Sequence, residues 1–391
     1  MEDAMSQATD PILPDAKPVP VHEVERELLR QYNALRGDER VVLQLVRMSN
    51  LIIYCNTPDV ARRIAAQVPD IMAVHPARVL LLIGDNGTPG DKLEAAVRVQ
   101  VNKLAEHQMV GSGQVVLSAP TGLTNDLPFA VRWLLIGDLP TNLWWASPQP
   151  PPLAGNLLYD LAERAQQIMY DSLGWPDPAR GVAATATWLE SVERFTDADR
   201  WRVASDLNWR RLKYWRRLVA QALEPVDVAT ITEVSVSHGP HAVVQAWELL
   251  SWLAARVGWR VQAGKVQQGV EMSWHFQAPL TLPSPPGGEG RVRGGDVRFR
   301  IRRLDQGPPA IKGMRIRCTL NDKPVTLDLV SESAGKLVIR LEGVPAEPRT
   351  ILVPELSPAE VIGRQLSDRE RDPVFRESMQ LAQVMAKSLL A

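Results

Sequence analysis

The chain has 391 residues, 45% hydrophobic and 23% charged, with 44 basic side chains against 45 acidic. That length exceeds what one core serves and predicts two domains, while a net charge of −1 argues against wholesale binding to nucleic acid or to a membrane surface. Two cysteines, Cys55 and Cys318, are too few for a disulfide framework and too far apart for a CxxC metal or redox motif, and no apolar run reaches the roughly 18 residues of a spanning helix.

Residues 1–21 are acidic and proline-rich, without the basic-then-apolar order of a signal peptide, and read as a flexible leader of a cytoplasmic protein. "HEVERELLRQYNALR" (22–36) predicts an amphipathic helix with Val24, Leu28, Leu29 and Leu35 on its apolar side. A strand over 40–55, interrupted near 48–50, precedes a helix over 57–75 capped by Thr57, with Pro58 in its first turn. "ARVLLLIG" (77–84) has the continuous apolar character of a central strand, and 95–104 and 113–119 alternate as two more. In 125–147 a helix should give way to the strand "TNLWWAS". The order implies an α/β sandwich with a mixed sheet over 22–150, ended by the stiff "PQPPP".

Residues 151–227 read as a helical segment, with Thr196 or Asp197 as a cap. Residues 228–391 read as a C-terminal α+β domain: a strand at 228–237, then a helix at 241–259 with Val243, Trp247, Leu250, Ala254 and Val257 along one side and Gly258 at its end. Antiparallel strands from 265 to 353 and helices at 358–366 and 373–390 complete it. Residues 278–296, rich in proline and glycine and aperiodic, read as a disordered hairpin insertion without function. The fold class is therefore mixed α/β and α+β.

No motif announces an active site. The turn "GDNGTPGDK" (84–92) follows a strand but departs from the phosphate-loop pattern, since Asp91 precedes Lys92. With His75 as a base it could serve a nucleotide- or sugar-phosphate-binding enzyme; a surface turn is the simpler reading. "GGEGRVRGG" (287–295) has no helix after it. His238 and His241 lack an acidic partner at ligand spacing, so no metal and no cofactor is expected.

"DLNWRRLKYWRRLVAQAL" (206–223) is the most distinctive stretch. At about 100° per residue, Trp209, Leu212, Trp215, Val219, Ala222 and Leu223 share one face. Arg210, Arg211, Lys213 and Arg217 fall mostly opposite, and Arg216 lies at the seam. The apolar face can pack into the core. The basic face can stay solvated, or dock on an acidic surface of another protein through planar arginine forks.

Three separated motifs carry a resemblance. "RMSNLIIYC" followed by "HPARVLLLIGD", then "DLPTNLWWAS", then the Trp/Arg stretch resemble, in that order, the OpcA-type glucose-6-phosphate dehydrogenase assembly proteins over about residues 22–275. The matching residues are His75, Pro76, Arg78, Trp144, Trp145, Trp209, Arg211, Leu212, Trp215 and Arg216. The resemblance implies a non-catalytic partner that binds glucose-6-phosphate dehydrogenase, favours its assembled form and raises its activity, with no nucleic acid or membrane involved. It implies structural or contact roles for these residues. The partner face would comprise Trp209, Arg210, Arg211, Lys213, Trp215, Arg216 and Arg217. The cysteine-based control associated with cyanobacterial members has no counterpart in residues 319–391, which hold no cysteine.

Overall fold

A computed structural model describes residues 12–36, 42–45, 47–105, 108–194, 202–267, 271–278 and 295–390. Expectations for the leader before residue 12, for Thr196 and Asp197, and for nearly all of the 278–296 insertion fall outside these residues.

The first lobe forms around a nine-stranded sheet. Its chain order is β1 (Lys17–Val19), α1 (Val24–Leu35), β2 (Val42–Leu45), β3 (Ser49–Cys55), α2 (Pro58–Ala65), α3 (Val68–Val74), β4 (Ala77–Ile83), β5 (Glu94–Ala105) and β6 (Gln108–Ser118). There follow α4 (Leu127–Leu134), β7 (Thr141–Trp145), α5 (Asn156–Leu161), β8 (Gln167–Tyr170), α6 (Pro178–Arg194) and β9 (Val203–Asp206). Strands β6, β4, β3, β7, β8 and β9 lie parallel in that spatial order. Beginning at β3, the chain winds outward to β4 and β6, then returns to β3 and winds outward again through β7, β8 and β9. This is the doubly wound dinucleotide-fold order, with its switch point between β3 and β7. The hairpin strand β5 and then β1 extend one edge antiparallel.

Helices cover both faces, so the central strands are buried throughout: every residue of β3 and of β4 is buried. Two apolar cores result. One lies under α2 and α3; the other lies under α1, α4 and α5 and continues into the second lobe.

The chain continues as α7 (Leu207–Arg211), α8 (Lys213–Leu223), β10 (Glu233–His238), α9 (Val243–Val257), β11 (Arg260–Gln267), β12 (Glu271–Gln277) and β13 (Asp296–Arg303). It ends with β14 (Ile311–Leu320), β15 (Lys323–Ser333), β16 (Lys336–Glu342), β17 (Arg349–Leu352), α10 (Pro358–Ser367) and α11 (Pro373–Leu390). The second sheet has the order β11-β12-β13-β10-β14-β15-β16-β17, antiparallel except for the β10–β13 pair. Its strands alternate. In β13, Val297, Phe299 and Ile301 face α9 and the core, while Arg298 and Arg302 face solvent. The last two helices diverge. α10 returns to the first lobe against α3 and α7, whereas α11 packs on α6, α9 and β11.

Several expectations are corrected. The segment after the prolines is not all helix: β8 and β9 join the first sheet there. These four-residue segments are too short to show a periodicity that separates strand from helix. The interruption expected in the strand over 40–55 is present, between β2 and β3, but the helix over 57–75 is two helices, Pro69 standing in the first turn of the second. On α1, Val24 and Leu28 are buried but Leu29 and Leu35 are exposed, because Glu27 rather than Leu29 shares the inward stripe. The predicted one-sided helix α9 is buried nearly all round from Val244 to Leu250, between the second sheet and α11, and ends as expected at Gly258 with φ +78°.

Candidate functional site

The Trp/Arg stretch forms two helices that meet at Leu212. Asp206 is the cap, its side chain accepting the Asn208 amide at 2.8 Å. Trp209, Leu212, Trp215, Val219, Ala222 and Leu223 are all buried, as the wheel predicts.

The basic residues divide in a way the wheel does not show. Arg210 donates to the Gln365 side-chain oxygen Oε1 at 2.7 Å and pairs with Asp368. Arg211 grips Asp171 with two bonds of 2.8 Å. Arg216 lies 3.6 Å over the Trp209 ring and donates to the Trp209 carbonyl at 2.6 Å. Burial pulls its guanidinium down to about 10. Trp209 itself donates to Asp372 at 2.6 Å and packs on Phe375. Three arginines and a tryptophan are therefore engaged within the chain, Arg210 and Trp209 by the end of α10 and the segment that joins it to α11. Lys213 and Arg217 remain exposed.

Behind this helix lies a buried polar cluster that was not anticipated from sequence. Asp206, at the end of β9, and Glu248, on α9, are both buried, one from each lobe. Asp206 accepts the amides of Asn208 and Ser172. Burial, and then the Asp171 charge, push its carboxyl up to about 7. Both oxygens of Glu248 lack a donor, and burial followed by the Asp206 charge raises its carboxyl well above the usual range. Two buried carboxyl groups so placed disfavour each other's ionisation. The signal was present in the sequence: Glu248 is the one charged residue of the mostly apolar run "AVVQAWELLSWLAA".

Beside the cluster an open cleft of about 360 Å³ lies between the lobes. Its walls carry Arg210, Lys213, Arg216, Arg371 and Arg376, and Asp206 is part of its lining.

The tandem tryptophans occupy the switch point. Consecutive strand residues face opposite sides of a sheet, so Trp144 enters the core under α2 and α3 while Trp145 enters the other. Trp145 stacks on Tyr54 with ring centroids 4.3 Å apart and planes at 18°, and donates to the Gln149 carbonyl at 3.0 Å. These two rings sit at the carboxyl ends of β7 and β3, in the position where a doubly wound sheet opens its ligand crevice. The first strand-to-helix turn, Asn56-Thr57-Pro58, carries no glycine, and the Thr57 hydroxyl accepts the Val60 amide of α2.

The other motif residues are internal. His75 ends α3, with Nε2 3.1 Å from the Ser49 hydroxyl and Nδ1 3.4 Å from that of Ser367. Burial, then the Arg369 charge, lowers its affinity for a proton. The Pro76 carbonyl accepts the Met48 amide at 2.9 Å. Arg78 is buried and pairs with Glu25 of α1. The turn Gly84–Lys92 follows β4, whereas His75 precedes it. Seven strand residues, roughly 23 Å, separate them, so they do not form one site. That turn also leads into strand β5 rather than a helix. Cys55 and Cys318 stand in different sheets as free thiols. His238 ends β10 and is buried, and His241 is exposed with φ +69°.

Among the described residues no group of three His, Cys, Asp or Glu side chains is placed to hold a metal ion, and no helix is long and apolar enough to cross a membrane. One exposed feature escaped sequence reasoning: Phe129 and Trp133 on α4 are 66% and 74% exposed and touch edge to face.

The chain matches two family descriptions, the glucose-6-phosphate dehydrogenase subunit N-terminal domain over residues 68–187 and the corresponding C-terminal domain over residues 202–379. It is 23% identical over 321 residues to a putative OxPP cycle protein OpcA of Synechocystis, covering 79% of this chain and 63% of that one. It is 26% identical over 206 residues to the protein so named in Nostoc punctiforme, covering 51% and 42%. The chain thus spans less than two thirds of the length of these relatives. Among solved structures, a 3-ketoreductase of Actinomadura kijaniata is similar at 10% identity and a TM-score of 0.48, covering 88% of this chain and 98% of that one. With both halves matched in order and all three sequence motifs in place, the chain belongs to the OpcA-type glucose-6-phosphate dehydrogenase assembly family.

Proposed function

We propose that the protein is a non-catalytic cytoplasmic assembly factor that binds glucose-6-phosphate dehydrogenase, stabilises its active oligomer and raises its activity. The observation that carries this reading is the filled switch point. Where a doubly wound sheet would receive a ligand, Tyr54 and Trp145 stack on each other, and Thr57 rather than a glycine-rich turn opens the helix. Family membership supports glucose-6-phosphate dehydrogenase as the partner.

Of the residues singled out for docking, Lys213 and Arg217 point to solvent and supply the charged contact with an acidic surface. Arg210, Arg211 and Arg216 hold the helix that presents them. Trp209, Leu212 and Trp215 form its buried underside. The exposed Phe129–Trp133 pair offers an apolar contact of the type that dominates interface energetics. A binding partner shifts an oligomer's population only by its differential affinity for the assembled form.

The test is to mix the purified protein with the dehydrogenase and follow oligomer size and substrate dependence. Both should change. Arg217→Glu should weaken co-elution about tenfold, near 1.4 kcal/mol, without loss of fold. An unchanged dehydrogenase, in size and in kinetics, would overturn the reading.

A further inference from the structure

Helices α9 and α11 cover one face of the second sheet, α9 over β10 and β13 and α11 over β11, and the other face stands open to solvent. A groove of about 650 Å³ runs over β13, β10 and β14 on that face. Small residues, Ser235, Ser237 and Gly313, form its floor, and long charged side chains form its walls. Five are basic, Arg300, Arg302, Lys312, Arg315 and Arg317, and three are acidic, Glu233, Glu271 and Asp328. The acids are taken within the sheet. Arg317 pairs with Glu233 at 2.9 Å, Arg315 with Asp328 at 3.1 Å, and Arg300 lies 3.4 Å from Glu233 and 3.8 Å from Glu271. Among the described residues, Arg302 and Lys312 have no acidic partner, so the groove's surplus positive charge resides on them.

A backbone irregularity brings these two together. Arg302 lies beside Ser237 of β10, and Ser237 beside Gly313 of β14. The register then shifts and His238 faces Ile311, which leaves Lys312 as the extra residue of a bulge. Strict alternation from Gly313 would turn Lys312 toward the core; the bulge brings it into the groove instead. The two cations thus flank Ser237 from strands about 10 Å apart, a gap that a carboxylate side chain can enter.

We propose that this open face is a docking surface for an acidic surface of a protein partner, whose carboxylates pair with Arg302 and Lys312. The identity of that partner, the dehydrogenase, rests on the reading under Proposed function; the contact itself is additional and lies on elements other than α8. Size and charge choose the occupant. Six strands from β12 to β16, about 4.8 Å apart and about seven residues long at about 3.3 Å each, give a face of roughly 600 Å², near the ~800 Å² per partner of a stable interface. A second copy of the chain would set like charge against like. The phosphates of a nucleic acid would meet the three carboxylates set among the arginines.

The experiment titrates the dehydrogenase with the full chain and with single variants. Arg302→Glu and Lys312→Glu should each weaken binding about tenfold, and Arg302→Gln severalfold, with the loss growing as salt is lowered. Thermal unfolding should match the parent, because neither side chain has an internal ion pair to lose. Lys92→Glu, the same charge change on an exposed turn of the first lobe, should alter binding less than about twofold. Parental affinity in both groove variants, or an equal loss in Lys92→Glu, would overturn the proposal. So would a dimer of the chain alone that Arg302→Glu dissociates, or saturable binding of a single-stranded oligonucleotide that Arg302→Glu abolishes. No binding of the dehydrogenase by the unaltered chain would overturn the docking reading as well, which separates the two failures.

Discussion

Two crevices in one molecule received opposite treatments. At the switch point between β3 and β7, stacked aromatic rings fill the space and every neighbouring strand residue is buried. Between the lobes, charged side chains line an open cleft over a buried acid pair. The difference teaches where a doubly wound sheet can still respond to its surroundings. Apolar filling stabilises a fixed geometry through area removed from water, whereas a buried carboxyl pair makes the junction depend on protons.

The sharpest way to break the contrast is to empty the filled crevice. Trp145→Ala removes a buried indole and its stacking partner contact, and should cost ~3–5 kcal/mol in denaturant unfolding. A cost below about 1 kcal/mol would show that the aromatic pair does not hold the sheet.

The acid pair should give a smaller effect with a distinct pH signature. The unfolded chain releases the Asp206 proton near 3.8, while the folded chain holds it to about 7. The folded state thus binds more protons between these values, so the pair's contribution to stability declines as pH rises from about 4 to about 7 and is flat above. Glu248→Gln should flatten the decline and leave the variant more stable than the parent by ~1–3 kcal/mol at pH 8. Equal pH profiles for the two proteins would contradict the coupling of the two carboxyl groups.

The least costly change tests the helix that walls the cleft. Arg211→Ala strands Asp171, which is about a quarter exposed, and should lose ~1–2 kcal/mol, less than a fully buried pair would. Thermal unfolding of the variant beside the parent reads the loss.

Local pattern made much of the molecule legible. The continuous apolar run 77–84 became β4, Gly258 ended α9, Thr57 capped α2, and alternation in β13 put its arginines on the solvent face. Burial of Trp209 and Trp215 followed from helical spacing alone. These outcomes depend on neighbours within a turn or a strand, so the sequence by itself determined them. Tertiary structure decided the rest. Which arginines of 210–217 face water depends on residues 365–372, some 150 positions away, coming back to clasp the helix. Asp206 and Glu248 come close only because α7, which Asp206 caps, packs on α9. Charge and burial act through space rather than along the chain, so a carboxylate's proton affinity and an arginine's partner belong to the assembled fold.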